Sequence, residues 1–347
     1  RKLVNEESLN VLLISQTSNQ LRCTKEKFID EMLRKAIMNK IGQGQASGKL
    51  ILIGEHSAVY HVPAVVFPFK QTTIKTQIQT SKTLYITSDY YTGLLSKAPS
   101  CLENVQVVVE QFLQKINQQE ATFSIEISST IPGERGMGSS AAVAISLIRA
   151  LFDYFDLTYT KEEMLDLANL SEKIAHGNPS GMDVATVSSS EPIFFIKGQT
   201  NQTVPMNLNN TYLLVADTGE KGNTREIVED VAKLLNEHPE MKQHITALGK
   251  LALTAKKAII SGDSHTLGVV FNEAHEHLKN LTVSNERLDF FVNLALQNGA
   301  LGAKLTGSGR GGSVIVLAES RQVAYTIADK FKNEGIHQLW IQELGVK

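Results

Sequence analysis

Three glycines and two adjacent serines in Pro132-Gly133-Glu134-Arg135-Gly136-Met137-Gly138-Ser139-Ser140-Ala141-Ala142 have the composition of a phosphate cradle. The run follows a strand-like segment, 122–129, in which Phe123, Ile125 and Ile127 alternate with polar residues. It precedes an unbroken helix-forming stretch over 141–155. A strand that passes through a glycine loop into a helix presents backbone N–H groups and a positive dipole end to an anion. The serine hydroxyls add hydrogen bonds to phosphate or an oxygen ligand for a metal. The loop is not a Walker motif, because no Gly-Lys-[Ser/Thr] closes it. Nor is it a dinucleotide fingerprint, because Gly136-Met137-Gly138 lacks the third glycine. Taken alone it reads equally well as a plain turn.

Three more segments shift that balance. Gly48-Lys49-Leu50-Ile51-Leu52-Ile53-Gly54-Glu55-His56 lies upstream, and Lys304-Leu305-Thr306-Gly307-Ser308-Gly309-Arg310-Gly311-Gly312-Ser313 lies near the C-terminal end. Between them stands His176-Gly177-Asn178-Pro179-Ser180-Gly181-Met182-Asp183. With these four segments in this order, the chain resembles the GHMP kinase family over about residues 45 to 345. The resemblance implies an α+β fold: an N-terminal domain like ribosomal protein S5 domain 2 and a C-terminal ferredoxin-like domain, with the site between them. It also implies transfer of a phosphoryl group from ATP, with Mg²⁺, to a small alcohol. The resemblance is strongest to members that phosphorylate mevalonate in isoprenoid precursor synthesis. Some positions depart from the family pattern. His61 stands where a glycine is usual, and Ser308 and Ser313 replace a common alanine and cysteine.

Phosphoryl transfer needs charge neutralisation, a metal bridge between phosphates, and a group that positions or deprotonates the attacking hydroxyl. By resemblance Asp183 is the catalytic base; by its own context, after a Pro-Ser-Gly turn, it would be a helix N-cap. Lys49 alone would be a strand-edge lysine reaching solvent. The family places it beside the aspartate, where its charge would help the substrate oxygen lose a proton. Glu172, otherwise a solvated helical charge, would bind Mg²⁺ together with Ser140, although Ser139 could exchange roles with its neighbour. Such a pair suits a cation that takes few protein oxygens. Glu55 and His56 would face substrate, with His56 reaching the acid's oxygens and Glu55 supporting the site. Thr224 would contact substrate, or else simply cap its helix. ATP would lie on Pro132, Gly133, Gly136, Met137, Gly138, Ser139, Ser140 and Ala141, covered by Gly307 and Gly309. Those last glycines would otherwise be a loose hairpin turn. His176 reads as structural, bracing the Asn178-Pro179 turn.

The elements that must hold these residues alternate along the chain. Strands are expected at 49–53, 64–69, 72–80 and 83–86, and helices at 102–116, 141–155 and 161–175. A strand at 192–196 ends the first domain, expected over 38–200. The second, 201–347, should contain strands at 207–217, 303–306, 313–317 and 338–343. Its helices are expected at 224–236, 245–261, 264–281, 285–297 and 322–334. Residues 1–37 precede the resemblance. Met38 lies ten residues before Gly48, so 1–37 reads as an upstream extension, non-native or unstructured; an accessory helix at 25–37 is the alternative.

Composition narrows the partners. A net charge of −2 over 347 residues gives no broad cationic face, so nucleic acid is not expected. Only two cysteines, Cys23 and Cys101, occur, without CxxC spacing. That fits a reducing cytoplasm and excludes a disulfide scaffold. No apolar run approaches the ~18–20 residues of a membrane span. The expected partners are therefore ATP and mevalonate, with a homodimer left open. Two rivals remain. A kinase acting on phosphomevalonate should carry extra Lys or Arg near Glu55 or Asp183, and the sequence shows no such cluster there. A non-catalytic sensor of the same fold would not need Lys49, Glu172 and Asp183 together.

Overall fold

The computed structural model describes residues 40–345 apart from Glu134 and 177–179. The expectations for 1–37, for Met38 and for the His176 ring at the Asn178-Pro179 turn fall outside that range.

Two sheets organise the described residues. The first contains β1 (Ile41–Ile53), β2 (Ala64–Thr80), β3 (Tyr85–Thr87), β4 (Thr92–Leu94), β5 (Phe123–Ser129), β6 (Ile193–Phe195) and β7 (Gln202–Thr203). β2 is its spine. One edge pairs with β1 along most of its length, and the other pairs with β5 at one end and β6 at the other. Sequence pattern suggests two short strands where β2 is one long strand, because Pro68 and the polar run that follows read as a break. The structure absorbs that run as a bulge: the register of β1 jumps from Ser47 opposite Thr73 to Gly48 opposite Phe69.

β1 also starts earlier than its apolar run suggests. Its first half carries Gly42 and Gly44, which pattern reading leaves unassigned. Both are required by packing. A β-carbon on Gly44 would lie 2.0 Å from the Ser146 carbonyl oxygen, and one on Gly42 would lie 2.4 Å from Tyr154 Cβ. The strand thus lies directly against the backbone of the helix that follows the glycine loop, which is how that loop is brought over Lys49.

Among the described residues four α-helices belong to the first unit: α1 (Glu103–Lys115), α2 (Ser139–Tyr154), α3 (Lys161–His176) and the short α4 (Met182–Val187). α2 is buried along nearly its whole length, with Ala141, Ile145, Ile148 and Leu151 each excluded from solvent. Alanines at the contact face allow the close approach to β1.

The second unit has four strands in the order β11 (Gln338–Leu344), β8 (Thr211–Asp217), β10 (Ser313–Ala318), β9 (Gly302–Thr306). Every neighbouring pair is antiparallel. In chain order this is a 4-1-3-2 sheet, the ferredoxin-like arrangement. Its crossover from β8 to β9 is made by α5 (Thr224–Glu237), α6 (Lys242–Ser261), α7 (Ser264–Asn280) and α8 (Glu286–Gln297). α9 (Arg321–Asn333) joins β10 to β11. β9 and β10 are buried on both faces, so they read as continuous apolar runs rather than alternating ones. One continuous apolar core spans both units. At their seam Phe69 of β2 meets Trp340 of β11 edge to face, with centroids 6.2 Å apart.

Candidate active site

Lys49 sits in the buried half of β1 with its side chain 5% exposed, and its Nζ lies 3.2 Å from Asp183 Oδ1. Its backbone N–H donates to the Met137 carbonyl at 2.9 Å, tying β1 to the glycine loop. Asp183 lies in the first turn of α4, whose cap position is held by Gly181 with no side-chain capping bond. The capping role is therefore excluded, and the carboxylate, one-third exposed, points toward solvent beside the lysine. A cleft of about 1060 Å³ opens over this pair.

The glycine loop forms the facing wall. Gly138 adopts φ +73° and leads directly into α2 at Ser139. The first N–H groups of a helix have no partner within it, so the start of α2 is free to bind an anion. Ser140 Oγ is buried and accepts or donates no hydrogen bond among the described residues. Glu172 of α3, only 3% exposed, lines the same cleft. A buried hydroxyl and a buried carboxylate on one wall fit Mg²⁺, which binds few protein oxygens and leaves the rest to phosphate and water. Among the described residues no group of three or more His, Cys, Asp or Glu forms a metal cage.

The second unit closes the cleft. Gly307 lies so close to the glycine loop that a β-carbon on Gly136 would sit 3.1 Å from Gly307 Cα. Thr224 is the first residue of α5, exposed to the cleft, and the cap is Asn223, whose side chain accepts from the Glu226 N–H at 3.4 Å. The simple capping role thus falls to its neighbour.

Not every expected residue reaches the cleft. Pro132, Gly136, Met137, Gly138, Ser139, Ser140, Gly307, His56 and Thr224 line it, together with Lys49, Asp183 and Glu172. Gly133, Ala141 and Gly309 do not. Ala141 faces the core inside α2, and Gly309 packs against Val283 in the second unit. Glu55, expected to face substrate, is turned the other way. It is fully buried and forms an ion pair with Lys304, itself fully buried. Burial pushes the Glu55 carboxyl up and the Lys304 ammonium down from their ordinary ranges, and their mutual attraction opposes both shifts.

His56 keeps its place but changes its chemistry. Its Nε2 lies 2.6 Å from the Ser308 carbonyl oxygen. A carbonyl only accepts, so Nε2 carries the proton. Burial lowers the pKa of the ring, which favours the neutral form. The remaining nitrogen, Nδ1, is buried without a partner among the described residues. In this tautomer Nδ1 accepts a hydrogen bond, which suits a substrate hydroxyl rather than a carboxylate.

Sequence reading missed three charged residues. Arg135 of the glycine loop donates through Nε to both Asp217 oxygens, at 2.7 and 2.9 Å, clamping the loop to the end of β8. Lys221, just before α5, and Arg225, in its first turn, line the same cleft. Their distance along the chain hid them. Asp217 was findable, as a charge ending an otherwise apolar strand.

The comparisons with known proteins agree with this geometry. Residues 103–191 match the model for the GHMP kinases N terminal domain, and 255–337 match the model for GHMP kinases C terminal. A mevalonate kinase of Pyrococcus furiosus is 32% identical over 300 residues, covering 80% of this chain and 89% of the relative. The chain belongs to the GHMP kinase family. Among solved structures, this GHMP kinase is similar to mevalonate kinase from methicillin-resistant Staphylococcus aureus, with a TM-score of 0.71 at 35% identity. That likeness covers 88% of this chain and 100% of the other. It is also similar to L. major mevalonate kinase in complex with R-mevalonate, with a TM-score of 0.75 at 25% identity over 89% and 98% of the two chains. The α+β arrangement of this GHMP kinase, an N-terminal unit carrying the glycine loop and a ferredoxin-like C-terminal unit, is the fold of those relatives.

Proposed function

We propose that this GHMP kinase transfers the γ-phosphoryl group of ATP to the 5-hydroxyl of (R)-mevalonate. The observation that carries this reading is the Lys49–Asp183 pair, set opposite a glycine loop and helix start within one cleft. The relatives named above carry the same activity in their names, and their similarity extends over most of the chain.

The chemistry follows from position. The glycine loop and the start of α2 hold the nucleotide phosphates. Asp183 takes the proton of the acceptor hydroxyl as its oxygen bonds to the γ-phosphorus. The bond from that phosphorus to the β-phosphate bridging oxygen breaks, and ADP leaves. Lys49 places a fixed positive charge where negative charge develops on the attacking oxygen. Mg²⁺, when bound, neutralises charge on the phosphates, and Ser140 and Glu172 are the residues that would hold it. His56 Nδ1 is placed to accept from a second hydroxyl of the acceptor, a group that mevalonate has. The domain division is assigned near residue 200, and the location to the cytoplasm. The exposed thiol of Cys101 supports a reducing compartment, and among the described residues no helix is long and apolar enough to cross a membrane.

The deciding measurement is ADP release with a panel of acceptors: mevalonate, phosphomevalonate, homoserine and galactose. Mevalonate should have the highest kcat/KM by a wide margin. Phosphomevalonate is the informative competitor, because Lys221 and Arg225 line the cleft and could meet an extra phosphate. Preference for it would replace the proposed acceptor, and no turnover with any of the four would favour a sensor.

Metal handling gives a separate check. Ser140→Ala and Glu172→Gln should each raise the Mg²⁺ concentration needed for half-maximal rate by about tenfold, as expected when one of a few protein oxygens is lost. Excess Mg²⁺ should recover part of the rate, since mass action restores occupancy. A silent Ser140→Ala alongside a rescuable Ser139→Ala would move the ligand one residue back.

A further inference from the structure

Every second residue from Lys304 binds the first unit. Lys304 Nζ pairs with Glu55 and also donates to the Leu305 carbonyl at 2.6 Å. Thr306 Oγ1 donates to the Ile51 carbonyl at 2.9 Å. Ser308, just past the strand, accepts through its backbone carbonyl from His56. The pleat of β9 explains the spacing of Lys304 and Thr306, because residues two apart share a face, and Ser308 adds its contact through the backbone beyond the strand. The intervening backbone is secured from the other unit's side by α7: the Ala303 N–H reaches Asn272 Oδ1 at 3.0 Å, and the Leu305 N–H reaches His275 Nδ1 at 3.4 Å. β9 is therefore an edge strand whose free edge is held by α7 and Lys304.

Glu55 and His56 are consecutive, yet their side chains go to opposite places. Glu55 enters the seam and His56 enters the cleft. Gly54 and His56, on either side of Glu55, adopt φ +116° and +57°. A left-handed backbone at a histidine carries strain that its surroundings must offset. The Glu55 carboxylate, locked between the units, is a constraint that does so. A buried ion pair contributes little to stability compared with an apolar pair of the same volume, so stability does not account for two fully buried charges here. Geometry does.

We propose that Lys304 is a positioning residue for phosphoryl transfer: by anchoring Glu55 it fixes the 54–57 turn, and so aims His56 at the acceptor alcohol. The proposal rests on the kinase reading above, and its test is arranged so that the two can fail separately.

The variants are Lys304→Met and the double variant Glu55→Met/Lys304→Met. Lys304→Met leaves a carboxylate buried alone, so it should lower the unfolding temperature and also the activity. The double variant removes both charges, and its unfolding temperature should return close to that of wild type. Its kcat/KM for the acceptor should nevertheless stay down by about 10²-fold, as expected for a misplaced contact group. The loss should fall mainly on the acceptor KM, with KM for ATP unchanged. If Lys304→Met does not fold, the double variant carries the comparison. A double variant that recovers both stability and acceptor kcat/KM overturns the proposal. A second readout does not depend on turnover: in ¹⁵N-histidine spectra, His56 should be a single Nε2–H tautomer in wild type and a mixture in the double variant. An unchanged single tautomer there also overturns it. Wild type inactive on mevalonate would sink the assigned substrate, while the histidine spectra would still decide the role of Lys304.

Discussion

Asp183→Asn is expected to lower kcat by about 10²–10⁴-fold while leaving the fold and nucleotide affinity intact, the range associated with loss of a general base. The substitution changes little volume, and the carboxylate caps no helix and is not enclosed in the core. Stability should therefore barely move. Lys49 would then stand beside a neutral amide, with no group to take the hydroxyl proton. Nucleotide binding, read as thermal stabilisation by ATP, should match wild type because the glycine loop and α2 are untouched. A variant that kept more than about a tenth of wild-type turnover would end the assignment of Asp183 as base. Extra Mg²⁺ should not rescue it, which separates it from the metal-ligand variants.

The second large effect comes from a residue that carries no functional group. Gly138→Ala should reduce kcat/KM by about 10²-fold, the scale expected when a reacting constellation shifts by an ångström. The added β-carbon would lie 2.7 Å from Lys49 Cγ. That atom is in the middle of a buried side chain, not at a free end, so either Lys49 leaves Asp183 or the loop lifts away. The left-handed φ of Gly138 adds strain of about 1–3 kcal/mol for a residue with a side chain. In a chain of this size that is a shift of a few degrees in Tm. A cycle with Lys49→Met distinguishes the causes. If the alanine acts by displacing Lys49, the double variant should be no slower than Lys49→Met alone. Additive losses would instead show that the loop itself had opened.

Much of this arrangement is legible before folding, and what is not has a physical reason. The helices after the glycine loop and the strands of the second sheet follow from apolar period and turn residues, and the structure places them within a few residues of expectation. The length of β1 and the continuity of β2 are not legible. Gly42, Gly44 and Pro68 each read as breakers, and only a helix backbone pressed on β1, or a bulge beside Pro68, makes them fit. At the site, Lys49, Asp183, Ser140 and Glu172 are marked by motif, and the structure brings them to one cleft. Glu55 misleads because its neighbour His56 faces the cleft, and sequence adjacency does not reveal that the turn sends the two apart. Lys304 carried a usable signal: a lysine inside a strand of otherwise apolar character must find a buried partner. Lys221 and Arg225 carried none, since their approach depends on how the two units meet.

The contact between Phe69 and Trp340 has a practical consequence. Trp340 is the sole tryptophan of the chain, and it rests on a ring of the other sheet. Tryptophan emission, excited selectively over that of the eight tyrosines, therefore reports on one place, the junction between the units, without any label or engineered probe. A ligand that drew the sheets together or let them part would change that emission directly, while one that reordered only the rim of the cleft would leave it dark to the event. The molecule carries its own gauge of which kind of movement accompanies binding.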